Sequence, residues 1–209
     1  MASMAPSANV IVCKHACFPD GTHPDVVDFQ RPNADRVLSF GILASNNPAN
    51  RSAIETFINN VWQPNYANAS NIQLTVAGSV CKSFESDPAN VKSIVWAPEL
   101  DSPSRFYGNV DVVVNPIEFG SGLKIKNVEA IAHGKPLITT SHGANGFIDA
   151  PHASVLVADT PNQWRTAIER LSDPAEIIRT GQLARELSAS QFSNSAVYGP
   201  LLELILPRS

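Results

Sequence analysis

Short apolar runs with the spacing of strands alternate with longer segments that have the spacing of helices along most of this 209-residue chain. Strands are predicted over residues 36–41, 72–78, 91–96, 110–115, 135–139 and 154–157. Helices are predicted over residues 54–62, 100–106, 128–134, 161–172 and 174–190. Strands and helices that alternate in this way favour a parallel sheet joined by right-handed crossovers. The sequence therefore predicts an α/β fold with a single doubly wound parallel sheet.

A glycine-rich turn separates one predicted strand from the helix that follows it. Gly120, Ser121 and Gly122 form this turn, and Lys124 and Lys126 come directly after it. Free backbone N–H groups and the positive end of a helix dipole favour a bound phosphate at such a turn, and the lysines add full positive charge. Because another predicted strand begins just beyond the helix, the turn is expected at the carboxyl edge of the sheet, where doubly wound sheets bind ligands.

Each part of this stretch also has an ordinary structural interpretation when it is taken alone. Gly-Ser-Gly is a common turn sequence, since glycine adopts most backbone conformations. Lys124 and Lys126 are two residues apart, so on a helix they would point about 200° apart and belong to the solvated surface. Glu129 would be an ordinary helix glutamate. What favours a ligand site is the combination of turn, lysines and carboxylate at the end of one strand.

Residues 116–146 resemble the donor-binding half of retaining GT-B glycosyltransferases of the glycosyl transferases group 1 type. The resemblance rests on Gly-Ser-Gly-Leu-Lys-Ile-Lys, on Val-Glu-Ala-Ile-Ala-His-Gly-Lys-Pro-Leu-Ile-Thr-Thr and on Gly-Ala-Asn-Gly, and it extends more loosely over residues 33–195. It implies a Rossmann-like domain in which Glu129 holds the ribose hydroxyls of a sugar nucleotide. The other glutamate of the family motif would lie eight residues earlier, where this chain has Ser121, and Glu118 lies eleven residues before Glu129.

The resemblance also implies roles for three positions outside the glycine-rich turn. The loop of residues 41–50 carries Asn46 and other asparagines where related enzymes often have a basic pair for the donor phosphates, and amides can still bind a ribose or sugar edge. Trp96 would lie near the nucleotide base, with a core aromatic as the alternative interpretation. Gly143 would lie in a rim that approaches the donor, with a plain turn over residues 142–146 as the alternative.

The length of the chain predicts one substantial domain rather than two. Residues 1–32 are predicted to be an N-terminal arm or interdomain linker, and residues 33–209 a nucleotide-sugar-binding Rossmann-like domain. GT-B enzymes have two such domains, and the N-terminal one supplies the acceptor site. The resemblance therefore implies an isolated C-terminal half, a truncation or a natural subunit, that is inactive until an N-terminal acceptor domain is supplied in cis or in trans.

Composition argues against several other classes of protein. A net charge of −4 disfavours nucleic acid as a partner, since non-specific binding needs a basic surface. The sequence contains no apolar run of about 18 residues and no signal-peptide pattern, and its three cysteines do not make a disulfide framework. We therefore expect a cytoplasmic protein, peripheral at the inner membrane only through the missing domain. Cys13 and Cys17 lack a second ligand pair at zinc-finger spacing, so no metal is expected.

The function implied by the resemblance is transfer of a sugar from a nucleoside diphosphate to an acceptor hydroxyl with retention at the anomeric carbon. Lys124 and Lys126 would act catalytically by stabilising the leaving diphosphate, so neither a metal nor another cofactor is expected. A glycan or a lipid-linked sugar is the expected acceptor, as in polysaccharide or glycoconjugate synthesis. Two alternatives stay open, namely half of a sugar-nucleotide epimerase and a non-catalytic nucleotide-sugar-binding subunit.

Overall fold

A single parallel sheet forms the centre of the molecule. The computed structural model describes residues 13, 15–17, 37–84, 91–98, 100–146 and 153–205. Within these residues, six strands pair in the order β3-β2-β1-β4-β5-β6. They are β1 (Leu38–Leu43), β2 (Ile72–Ala77), β3 (Ile94–Ala97), β4 (Val112–Asn115), β5 (Leu137–Thr139) and β6 (Val155–Val157). Every pairing is parallel, which confirms the predicted α/β fold with one doubly wound sheet.

Helices connect the strands and cover the sheet. They are α1 (Pro48–Phe57), α2 (Gln63–Tyr66), α3 (Pro103–Asn109), α4 (Ile125–Ala132), α5 (Ser141–Ala144), α6 (Pro161–Arg170), α7 (Pro174–Phe192) and α8 (Asn194–Ile205). A π-helix (Ile58–Trp62) joins α1 to α2, and a 3-10 helix (Ser79–Phe84) follows β2. The side chains of Asn47, Ser102, Thr160 and Asp173 cap α1, α3, α6 and α7, and a proline follows each of these caps.

Each face of the sheet has its own apolar core. On one face, α1, the π-helix and α6 pack against strand residues such as Phe40 and Leu74, which are fully buried beside Trp62. On the other face, α3, α4 and the second half of α7 cover Val113 and Leu137. Burying one such side chain contributes about 1.5 to 3 kcal/mol. The sheet is therefore held between two layers of helices.

The direction in which successive strands are added reverses between β1 and β4, which lie side by side. Phe40 pairs with Val112, and Gly41 pairs with Val113. From β1 the chain proceeds to one edge of the sheet through β2 and β3, and from β4 to the other edge through β5 and β6. The segments that follow β1 and β4 therefore leave towards opposite faces. A crevice opens between them at the carboxyl ends of the strands, where sheets of this type bind ligands.

The structure differs from the sequence-based prediction in several places. β1 continues through Leu43, because residues 41–43 pair with β2, so the predicted loop 41–50 is shortened to residues 44–47. The 3-10 helix is too short to give a periodic signal, and α8 contains Gly199 and Pro200, which break the pattern of a predicted helix. Residues 142–146, predicted as a turn, begin within the single turn of α5. The predicted arm over residues 1–32 lies almost entirely outside the described residues.

Gly41→Ala is expected to destabilise the protein by roughly 1 to 3 kcal/mol, because a Cβ there would force the α3 layer away from the sheet. That atom would lie 2.6 Å from Cγ1 of Val110 and 2.7 Å from Cζ of Phe106. Gly199→Ala is the matched control, since a Cβ there would meet open space and alanine favours a helix. Urea unfolding followed by circular dichroism measures both variants. An unchanged midpoint for Gly41→Ala would contradict this account of the packing.

Candidate functional site

The glycine-rich turn lies in the segment that connects β4 to α4, at the crevice between β1 and β4. Gly120 and Gly122 have φ angles of 92° and 72°, a left-handed conformation that disfavours residues with a side chain. Gly120, Ser121 and Gly122 are all exposed. No side chain caps the N-terminus of α4, in contrast to α1, α3, α6 and α7. The sequence-predicted turn therefore stands at the expected strand end and beside an uncapped helix N-terminus.

Lys124 folds back onto the turn that precedes it. Its Nζ donates to the backbone carbonyls of Gly120, Ser121 and Gly122 at 2.9, 3.4 and 3.2 Å. The Gly120 carbonyl also lies 2.6 Å from Nε2 of His142, which belongs to α5. An ammonium group has three donors, so these carbonyls use the full set. Lys124 thus brings positive charge into the turn and fixes its shape.

Lys126 points to a different group, the carboxylate of Glu129. The Lys126 Nζ lies 3.5 Å from Oε2 of Glu129, with the two side chains 42% and 25% exposed. The same Oε2 accepts a hydrogen bond of 3.0 Å from the hydroxyl of Tyr107 on α3. The structure therefore joins two of the predicted site residues directly and adds a tyrosine that sequence reasoning missed.

Buried Tyr107 and half-buried His133 and Cys17 form a cluster of titratable groups behind Glu129. Burial, and then the negative charge of Glu129, raise the pKa of the Tyr107 hydroxyl, which stays protonated and donates. The Tyr107 ring stacks on His133 with centroids 4.5 Å apart, and burial, followed by the charge of Lys135, lowers the pKa of His133 to about 4. Burial and then Glu129 also raise the pKa of the Cys17 thiol to about 11. These groups are therefore uncharged at neutral pH.

A buried asparagine holds α4 against the neighbouring strand end. Asn127 is fully buried, and its Oδ1 accepts from Asn115 Nδ2 at 2.7 Å, while its Nδ2 donates to the Gly143 carbonyl at 2.8 Å. A Cβ on Gly143 would lie 2.1 Å from Oγ1 of Thr139, so only glycine allows this close approach. Gly143 is thereby fixed beside the site. Sequence reasoning missed Asn127, because this residue directly precedes the helix predicted over residues 128–134, whereas α4 begins at Ile125.

The structure does not bring Asn46 or Trp96 into contact with the glycine-rich turn. The N–H of Asn46 donates to Ser79 Oγ at 2.9 Å, and its Oδ1 accepts from the hydroxyl of Ser83 at 2.5 Å. Trp96 is half-buried, and its ring centroid lies 4.9 Å from that of Phe84. Both residues therefore contact the 3-10 helix after β2. Their roles toward a nucleotide stay predictions.

Two other findings bear on the site. Among the residues that the structure describes, no three or more His, Cys, Asp or Glu side chains are grouped so that they could hold a metal ion. In the same part of the chain, no helix has the length and apolar character needed to cross a membrane.

Comparison with known families and proteins decides the family of the chain. The family model for Glycosyl transferases group 1 matches residues 35–173, well over half of the sequence. The chain belongs to this family of glycosyltransferases. The matched region includes the glycine-rich turn, Lys124, Lys126 and Glu129. No curated protein matches the chain.

Solved structures of glycosyltransferases share the fold at low sequence identity. WaaG, a glycosyltransferase involved in lipopolysaccharide biosynthesis, has a TM-score of 0.66 and 16% identity over 93% of this chain and 56% of its own. Sucrose-phosphate synthase from Thermosynechococcus elongatus has a TM-score of 0.62 and 20% identity over 82% of this chain and 45% of its own. This chain thus spans about half the length of these two proteins. Its sheet is the Rossmann-like α/β fold of GT-B glycosyltransferases.

A third similar structure is that of a single domain. The C-terminal domain of LpcC, a glycosyl transferase group 1 family protein from Francisella tularensis, has a TM-score of 0.55 and 15% identity. The match covers 84% of this chain and 95% of that domain. In length, this chain therefore matches one domain of such a protein.

His133→Phe is expected to remove part of the acid sensitivity of the fold. His133 has a folded-state pKa of about 4, below its ordinary value of 6.5, so in the native protein it stays neutral while the unfolded chain takes up a proton. Its contribution to stability is present above pH 6.5 and is lost as the pH falls towards 4, with a slope of at most about 1.4 kcal/mol per pH unit. Phenylalanine keeps a ring against Tyr107. Urea unfolding from pH 7 to pH 4 should give a shallower decline for the variant, and identical slopes would contradict the assignment.

Proposed function

We propose that this chain is the donor-binding, C-terminal half of a retaining GT-B glycosyltransferase. The nucleoside diphosphate of a sugar donor would bind in the crevice between β1 and β4. The observation that carries the proposal is the partly exposed Glu129 carboxylate, paired with Lys126, on the helix whose uncapped N-terminus follows the glycine-rich turn. A carboxylate suits ribose hydroxyls, and a helix N-terminus with adjacent lysines suits a diphosphate.

Charge development during sugar transfer explains why these groups would be needed. When the bond between the anomeric carbon and the diphosphate oxygen breaks, its electron pair goes to the leaving diphosphate, which gains negative charge. Backbone amides at the start of α4, the dipole of that helix and the two lysines would stabilise this charge. Lys124 would act from within the turn, where its ammonium group is held by the backbone carbonyls. Lys126 would act from the side of the ribose.

The domain assignment is supported by the lengths of the similar structures. The chain covers about half of WaaG and of sucrose-phosphate synthase, and nearly all of the C-terminal domain of LpcC. An N-terminal acceptor domain, supplied in cis or in trans, would complete the enzyme. The acceptor would be a glycan or a lipid-linked sugar, and the site of action cytoplasmic. The involvement of WaaG in lipopolysaccharide biosynthesis supports glycoconjugate synthesis as the setting.

Glu129→Gln is expected to weaken the binding of a nucleoside diphosphate by about tenfold to a hundredfold. The amide keeps the shape of the side chain but loses a charge-assisted bond that contributes about 1.5 to 3 kcal/mol, at about 1.4 kcal/mol per decade of affinity. Calorimetry with uridine, guanosine and adenosine diphosphates measures the effect. The control is Glu186→Gln, an exposed glutamate on α7. If the folded parent binds none of the three at millimolar concentration, the proposed function is wrong.

Lys126→Ala is expected to weaken the binding of a nucleoside diphosphate more than the binding of the corresponding nucleoside, because the lost charge would act on the phosphates. The affinity that remains should depend less on salt, since one screened ionic contact has been removed. Lys92→Ala is the matched control, because Lys92 is exposed and precedes β3. It therefore lies at the amino ends of the strands, away from the crevice at their carboxyl ends. Titrations at low and high salt test both variants. Equal losses of affinity for the nucleoside and the diphosphate would show that Lys126 acts on the ribose and not on the phosphates.

A further inference from the structure

We infer that Tyr107 is a positioning residue, whose hydroxyl holds the carboxylate of Glu129 in the orientation that binds the ribose hydroxyls. The inference rests on the proposed function, because it assigns a second residue to the same ribose contact. Tyr107 would not touch the donor. Its effect would pass through Glu129 alone.

The ring of Tyr107 is fixed in place before any ligand binds. The residue is only 1% exposed and lies in the core between α3 and α4. On one side it stacks against His133 with an interplanar angle of 19°, and the edge contact with Phe106 has a centroid distance of 5.2 Å. A tyrosine hydroxyl can turn only about its own C–O bond. Because the ring is held by its neighbours, the hydroxyl oxygen stays at one point in space. That point is 3.0 Å from Oε2 of Glu129.

The two oxygens of the Glu129 carboxylate have different surroundings. Oε2 accepts from the Tyr107 hydroxyl and lies 3.5 Å from the ammonium of Lys126. Oε1 accepts no hydrogen bond from any residue that the structure describes, and the side chain is 25% exposed. Because the carboxylate is a rigid planar group on a side chain that is also anchored at its Cα, holding Oε2 narrows the positions that Oε1 can take. Oε1 is thereby left to accept hydrogen bonds from the ribose diol. Because the glutamate side chain is already ordered before a ligand binds, its conformational entropy is not lost on binding.

A purely structural role for Tyr107 would have different consequences. A tyrosine that only joined α3 to α4 would, when changed, loosen the domain and weaken every ligand alike. A tyrosine that orients Glu129 would matter only for ligands that present ribose hydroxyls. The ratio of affinities for a ribose ligand and its dideoxy analogue therefore separates the two roles.

The experiment compares the parent with Tyr107→Phe, which removes the hydroxyl but keeps the ring and its stacking, so the variant is expected to fold. Uridine, guanosine and adenosine diphosphates and their 2′,3′-dideoxy forms are titrated by calorimetry, with thermal melting as a check on folding. The matched control is Tyr66→Phe on the other face of the sheet. The Tyr66 hydroxyl is also buried, but it has no hydrogen-bond partner among the described residues.

The parent should prefer the ribose form of the ligand that it binds best. Tyr107→Phe should lower that preference by about fivefold to tenfold, with little change for the dideoxy form. The loss is smaller than for Glu129→Gln, because the carboxylate itself is retained and only its orientation is released. Tyr66→Phe should keep the parental ratio. In a Glu129→Gln background, Tyr107→Phe should cause no further change in the ratio, because the carboxylate that it orients is gone.

The failures of the two proposals can be told apart. A parent that binds the ribose and dideoxy forms equally would overturn the ribose role of Glu129, and the inference with it. A parent that discriminates, together with a Tyr107→Phe variant that keeps the parental ratio within twofold, would overturn only the inference. Equal weakening of both ligands by Tyr107→Phe would also overturn it, since that result marks a structural role.

Discussion

The pairing of β1 with β4 is the constraint on which the rest of the structure depends. These strands are joined only by long crossovers, yet they lie side by side, and Gly41 allows α3 to pack closely over them. Because the segments after the two strands leave towards opposite faces, one pairing creates both cores and the crevice between them. The location of the candidate site therefore follows from the same arrangement that stabilises the fold.

Around that crevice, polar groups are fixed by partners from different elements. Asn127 ties α4 to the end of β4 and to the backbone of α5. Lys124 and His142 converge on the carbonyl of Gly120, so the turn is held from α4 and from α5. Such a network suits a binding site, because groups that are ordered beforehand need not be ordered when a ligand arrives. The family of the chain and this preorganised turn are consistent with each other.

The two lysines illustrate how similar residues acquire different tasks. They are separated by one residue in sequence, but Lys124 lies at the N-cap and reaches back to the turn, whereas Lys126 lies within the first turn of α4 and reaches Glu129. Each ammonium compensates a different nearby group, backbone carbonyl dipoles in one case and a carboxylate in the other. A ligand with both phosphate and hydroxyl groups would therefore meet an ammonium group at the turn and an ammonium–carboxylate pair further along α4, rather than a uniform basic patch.

The sequence by itself determined the type of fold, the order of most elements and the position of the glycine-rich turn at a strand end. Those features are local, because strand and helix periods and the left-handed preference of glycine operate over a few neighbouring residues. Only the tertiary structure decided that His142 meets the turn, that Asn46 and Trp96 contact the 3-10 helix, and that Tyr107 meets Glu129 from another helix. Contacts between residues far apart in sequence depend on how the helix layers pack, and no local pattern encodes them.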